Sequence, residues 1–184
     1  MACPVFGAPM MAESGQLVCV LAGPSASVEK VKLYTKDVIG RANIDFSGQP
    51  AKNASLLKII GNTFVLSISE TLAEGHVLAE KTGLGTDSLQ KMIETLFPGP
   101  YTAYSTRMLS GDYHKREEPL FAVDLAKKDA NHALALARAT GTKLRAVEIE
   151  AAHLADVKEH MGARGDLTSI YRAVRKEAGL KFEN

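Results

Sequence analysis

Leu17-Val18-Cys19-Val20-Leu21 is an unbroken apolar run closed by Ala22-Gly23-Pro24, the pattern of a strand buried on both faces of an α/β sheet. Ser25-Ala26-Ser27 can cap a helix over residues 28 to 38, with Val28, Val31, Leu33 and Tyr34 toward the sheet and Glu29, Lys30 and Lys32 outward. Ala42-Asn43-Ile44-Asp45-Phe46 alternates like a second strand and stops at Ser47-Gly48. A strand, helix, strand unit is too little to fold alone, so residues 1 to 48 are predicted to be the last part of a Rossmann-like α/β domain.

From residue 49 onward the pattern is helical. Residues 51 to 82 carry no proline and predict one helix of about 48 Å at 1.5 Å per residue, ended by Gly83. Its apolar residues, from Leu56 to Ile68, wrap most of the way round, as in the middle helix of a bundle or an oligomer interface. Interrupted by Lys58, Gly61 and Asn62, that stretch reads as too short to span a bilayer. Thr86 is expected to cap a helix over 87 to 97, and a short helix should follow over 102 to 109, then a turn at Gly111-Asp112-Tyr113. Residues 121 to 140, 144 to 161 and 168 to 178 supply three more helices, with Leu125 counted on the apolar spacing of the first. The fold class is therefore mainly α: residues 49 to 184 form an all-helical C-terminal domain with a long central helix.

Composition narrows the function. The 184 residues hold 22 Lys and Arg against 21 Asp and Glu, which gives no electrostatic case for nucleic acid or a membrane surface as partner. Cys3 and Cys19 allow at most one bridge and belong to no zinc spacing. With no basic region followed by an apolar one near the N-terminus, the expected location is the cytoplasm. No Gly-x-Gly-x-x-Gly, Gly-x-Ser-x-Gly, His-Glu-x-x-His or phosphate-binding loop is present, so hydrolase and nucleotide-triphosphatase readings have no support.

Lys58 is the most unusual residue, a lysine flanked by Leu56, Leu57, Ile59 and Ile60. Partial desolvation there would lower its pKa toward a range useful for proton transfer. Asn62, four residues on, shares its helical face and can bond the same ligand, while Gly61 permits close approach. The competing reading is a lysine that snorkels to water beside a structural asparagine. His76 lies five turns beyond Lys58 and reads as a buried or interface histidine. His153 and His160 read as surface residues, and neither they nor His114 and His132 have metal-ligand spacing. Lys127, Lys128 and Asp129 form either a solvated charged face or a contact for a phosphorylated cofactor.

Several segments, in order, resemble the β-hydroxyacid dehydrogenase family, which includes 3-hydroxyisobutyrate and 6-phosphogluconate dehydrogenases. Pro4-Val5-Phe6-Gly7-Ala8-Pro9 with Ala12-Glu13-Ser14-Gly15-Gln16-Leu17 is similar to its substrate-binding strand, and Lys58-Ile59-Ile60-Gly61-Asn62 to its catalytic Lys-x-x-x-Asn. Residues 107 to 113, 121 to 125 and Lys128-Asp129 are similar to the segment carrying its cofactor-facing lysine. The resemblance implies an NAD- or NADP-dependent oxidoreductase acting on a hydroxyacid-like substrate. It assigns proton exchange to Lys58, substrate contacts to Phe6, Gly7 and Asn62, and a cofactor contact to Lys128, with no metal; the helical domain implies a homodimer.

Three departures accompany it. The glycine-rich turn that holds a pyrophosphate is missing, Phe6 stands where the family pattern has serine, and Lys52 and Ala54 replace glycines expected before Lys58. The expectation is a chain truncated relative to the family, its cofactor site incomplete, and weak or inactive by itself. The alternative is a non-catalytic helical dimerisation or binding module derived from the family.

Overall fold

The computed structural model describes residues 1 to 184. Its contacts divide the chain into two units, Met1–Asn62 and Thr63–Asn184, with the boundary inside the long helix.

In the first unit a three-stranded sheet has the order β1-β2-β3. β1 (Val5–Phe6) runs antiparallel to β2 (Leu17–Gly23), and β2 runs parallel to β3 (Gly40–Ser47). α1 (Pro9–Glu13) joins the antiparallel pair, and α2 (Ser25–Thr35) makes the crossover that a parallel pair requires. Leu17, Cys19 and Leu21 pack with Val28 of α2 on one face, while Val20 and Ala22 pack with Ala54 on the other. Burial on both faces is why β2 reads as a continuous apolar run instead of an alternating one.

α2 differs from expectation in two respects. It begins at Ser25 behind Pro24 with no side-chain cap, and it ends at Thr35. Leu33 and Tyr34 are 74% and 67% exposed. At 100° per residue Leu33 lies 140° from the buried Val28, so it cannot share the sheet-facing stripe. Lys32 lies only 40° from Val28, and its ammonium reaches Asp45 of β3 at 2.7 Å and Glu29 at 2.6 Å. These two carboxylates hold Lys32 protonated beyond the usual lysine range.

α3 (Lys52–Lys81) begins in the first unit and continues in the second. There follow α4 (Thr86–Leu96), α5 (Pro100–Ser110), α6 (Asp112–Lys115), α7 (Val123–Thr140), α8 (Arg145–Met161) and α9 (Ile170–Glu177), the last entered through a 3-10 turn at Leu167–Ser169. Thr86 is the first helical residue of α4 behind Gly85 and makes no cap hydrogen bond. The turn expected at residues 111 to 113 is instead Gly111 in left-handed conformation followed by the single-turn helix α6, which buries Tyr113. α7 buries Val123, Ala126, Ala130, Ala133 and Ala137, a narrow stripe of small residues that leaves Leu125 outside and 53% exposed.

The interruptions at Lys58, Gly61 and Asn62 do not shorten α3. By length and composition its 30 residues could cross a membrane, a test that the core helix of a soluble protein also passes. Its polar residues Ser69, Glu70 and His76 are buried. Two of them bond to neighbouring helices of the second unit, Glu70 to His153 of α8 and His76 to Ser105 of α5. Such side-chain partners mark α3 as a helix packed within protein.

Candidate functional site

In the first unit, β1 and the start of α3 bring three of the singled-out residues together. Phe6 pairs with Val18 across the strand ladder. That register sends its ring into the cluster of Val20, Ala22, Ala54 and Leu57. Its far edge lies directly over Gly61, where a Cβ would fall 2.5 Å from the ring Cζ and 2.6 Å from Cε1. The glycine is therefore needed for close approach, as its position suggested, but the approaching group is an aromatic ring.

Lys58, half-buried one turn before, sets its ammonium 4.5 Å from the centroid of the same ring. The negative face of an aromatic ring favours the charged ammonium. Asn62, one turn after Lys58, is buried. Gly7, next to Phe6, is exposed at a φ of 143°, and a Cβ there would stand 2.5 Å from the Leu17 side chain. Phe6, Gly7, Lys58 and Asn62 thus all belong to the first unit.

Lys128 belongs to the second unit, on the exposed side of α7. Its ammonium lies 2.8 Å from Asp129, with about half of its side chain open to solvent. Both sequence readings are compatible with that placement: a charge exposed enough to meet a phosphate, and a charge already near a carboxylate.

The remaining singled-out residues have structural surroundings. His76 is fully buried, with Nε2 2.6 Å from Ser105 Oγ, while Ser105 donates to Gln90. Although a serine and a histidine at this distance satisfy one criterion for nucleophilic catalysis, both are inaccessible and the serine proton is directed to Gln90. His153 departs from expectation: it is largely buried, with Nδ1 2.8 Å from Glu70 Oε1, and this bond raises its pKa. His160 is the more open of the two, its Nδ1 2.9 Å from the Asp156 carbonyl oxygen. No three His, Cys, Asp or Glu side chains are grouped to hold a metal.

Sequence reasoning missed Glu150, which is fully buried. Desolvation pushes its carboxyl up to about 7; the Glu70 charge adds to the rise and the Ser67 hydroxyl opposes it. The signal was available, since Glu150 occupies the stripe of Val147, Leu154 and Val157 on α8. Two cavities, about 340 Å³ beside Tyr171 and Arg175 and about 560 Å³ beside Arg145 and His153, both lie in the second unit and contain none of the residues assigned roles from sequence.

At the turn from β2 to α2 Gly23 packs on Met1, where a Cβ would lie 2.7 Å from the Met1 Cβ, and α2 opens behind Pro24.

Residues 53 to 174 match the family model described as NAD-binding of NADP-dependent 3-hydroxyisobutyrate dehydrogenase. The NADH-dependent oxidoreductase ucdB of Aspergillus ustus is 35% identical over 98% of this chain and 60% of its own length. The 3-hydroxyisobutyrate dehydrogenase of Salmonella typhimurium shares the fold, with a TM-score of 0.78, 19% identity and coverage of 92% of this chain and 58% of that one. A Mycobacterium tuberculosis 3-hydroxyisobutyrate dehydrogenase, solved with L-serine, gives a TM-score of 0.75 at 20% identity, covering 94% and 60%. The chain thus spans about three fifths of the length of these relatives. With two thirds of its residues matching the family model, and in the order its motifs suggested, the chain belongs to the β-hydroxyacid dehydrogenase family.

Proposed function

We propose that this chain carries the substrate-facing, proton-transferring part of an NAD(P)-dependent oxidoreductase that interconverts a hydroxyl and a carbonyl group. The observation that carries the reading is Lys58 on α3, half-buried against an aromatic ring and one turn from the buried Asn62, inside the segment matched by the family. Hydride chemistry is the cofactor's own. Lys58 Nζ holds the proton that the substrate oxygen gains on reduction and releases on oxidation. The Asn62 amide orients that oxygen, and Lys128 supplies a positive charge toward the cofactor.

The test is turnover with NADH or NADPH and small 3-hydroxyacids or their semialdehydes, followed by nicotinamide absorbance. A positioned general acid contributes about 10²- to 10⁴-fold, so Lys58→Met should reduce turnover at least a hundredfold. Undiminished turnover in that variant removes Lys58 from the mechanism.

Pairing of two copies through α3 completes the proposal. Phe64 and Leu78, fourteen residues and nearly four turns apart on one side of that helix, are 68% and 64% exposed. Light scattering after gel filtration should give twice the chain mass.

A further inference from the structure

The ring of Phe6 forms one wall of the Lys58–Asn62 face. Its edge covers Gly61, and its π-face lies beneath the Lys58 ammonium. The ring itself offers no hydrogen-bond donor, and it packs on Leu57 and the buried Val20 and Ala22. With Lys58 and Asn62 engaged on the reacting oxygen, a carboxylate set against the ring would lose water without gaining a donor of its own. An alkyl or aromatic substituent would exchange water for contact with the ring.

We propose that Phe6 sets the substrate class of this site: an alcohol or carbonyl compound whose substituent facing β1 is apolar or aromatic in place of a carboxylate. This rests on the reading of Lys58 and Asn62 as the groups that hold the reacting oxygen. The ring cannot easily withdraw to admit a carboxylate. β1 fixes its backbone by pairing with β2, and the Phe6 side chain is wedged between Gly61 and the cluster around Ala54. Phe6 is therefore a specificity-determining residue.

Three matched alcohols test this: 3-hydroxyisobutyrate, 2-methylpropan-1-ol, in which a methyl replaces the carboxylate, and 2-phenylpropan-1-ol, in which a phenyl does. Dissociation constants are measured for the 184-residue chain by ligand-observed NMR, which needs no turnover. A hydrophobic pocket discriminates by about 10- to 200-fold. 2-Phenylpropan-1-ol should therefore bind at least tenfold more tightly than 3-hydroxyisobutyrate, with 2-methylpropan-1-ol between them.

Phe6→Ser, which introduces a hydroxyl and removes the wall, should abolish or invert that preference. Phe6→Leu, which keeps an apolar wall, should keep the preference. Circular dichroism confirms that each variant is folded, and if Phe6→Ser is not, the Phe6→Leu and wild-type ratios decide. Tighter binding of 3-hydroxyisobutyrate by the wild type, no binding of any of the three, or an unchanged ratio in folded Phe6→Ser would each overturn the proposal. If the carboxylate is preferred while turnover still depends on Lys58, only this inference fails. If turnover is indifferent to Lys58→Met, the reading beneath it fails.

Discussion

His76 Nε2 lies 2.6 Å from Ser105 Oγ in the interior of the helical unit, while His76 Nδ1 has no hydrogen-bond partner. Burial depresses the imidazole pKa to about 4. An unfolded chain binds the proton near pH 6.5, so it holds more protons than the native state between those values. Stability linked to His76 is therefore full above pH 6.5 and is lost as pH falls toward 4, by about 3 kcal/mol for a shift of this size. His76→Gln should remove that dependence, which urea titrations at half-unit pH intervals will show; an unchanged slope would relocate it to another group.

Glu150 acts in the opposite sense. Its carboxyl keeps a proton up to about pH 7, against 4.5 in the unfolded chain. The native state holds the extra proton, so stability is full below pH 4.5 and declines as pH rises to 7, again by about 3 kcal/mol. From pH 4.5 to 6.5 the two groups oppose each other, and the wild type should be nearly flat there. Glu150→Gln should expose the rising His76 limb and be the more stable protein at pH 8. His153, its pKa raised first by the bond to Glu70, adds to the decline above pH 6.5. Replacing it with Asn should make the alkaline limb shallower; a steeper limb would contradict the assignment.

Asp166 is a different kind of buried charge. Fully enclosed, it accepts from Arg107 Nη2 at 2.8 Å, from the backbone N–H groups of Phe121 at 3.0 Å and Thr168 at 2.9 Å, and from Thr168 Oγ1 at 2.8 Å. It thereby caps the 3-10 turn and ties it to the segment entering α7. Removing the carboxylate strands both backbone donors and takes from Arg107 its buried partner, leaving it only Asp112 at 3.3 Å, so Asp166→Ala should cost about 3–5 kcal/mol. Arg107→Met leaves the carboxylate with three donors and should cost clearly less. Equal losses in urea denaturation would assign the stabilisation to the ion pair alone.

The sequence carried the helices and the order of elements because glycines such as Gly83, Gly111, Gly141 and Gly162 sit at helix ends with positive φ, a local requirement. The continuous run of β2 was legible for a similarly local reason. What was not legible depends on contacts far apart in the chain. Glu70 and His153 are 83 residues apart, and nothing local to either announces the other. The candidate site divides in the same way. Lys58 and Asn62 are visible as an i, i+4 pair, whereas the place of Phe6 over Gly61 follows from the pairing of β1 with β2, a register the sequence does not state.

That last contact can be tested without any ligand. In an exposed helix interior, Gly→Ala gains up to about 1 kcal/mol. At Gly61 the new methyl would stand 2.5 Å from the Phe6 ring, and overpacking of this kind costs about 1–3 kcal/mol. Gly61→Ala should therefore destabilise the chain. Phe6→Ala loses packing against Ala54 and Leu57 and is also expected to be destabilising. In the double variant the methyl meets no ring, so its loss should be smaller than the sum of the two single losses, with a coupling of about 1–2 kcal/mol. Additive losses in thermal and urea unfolding would mean that the ring and Gly61 do not meet in solution, and the aromatic wall beside Lys58 would go with them.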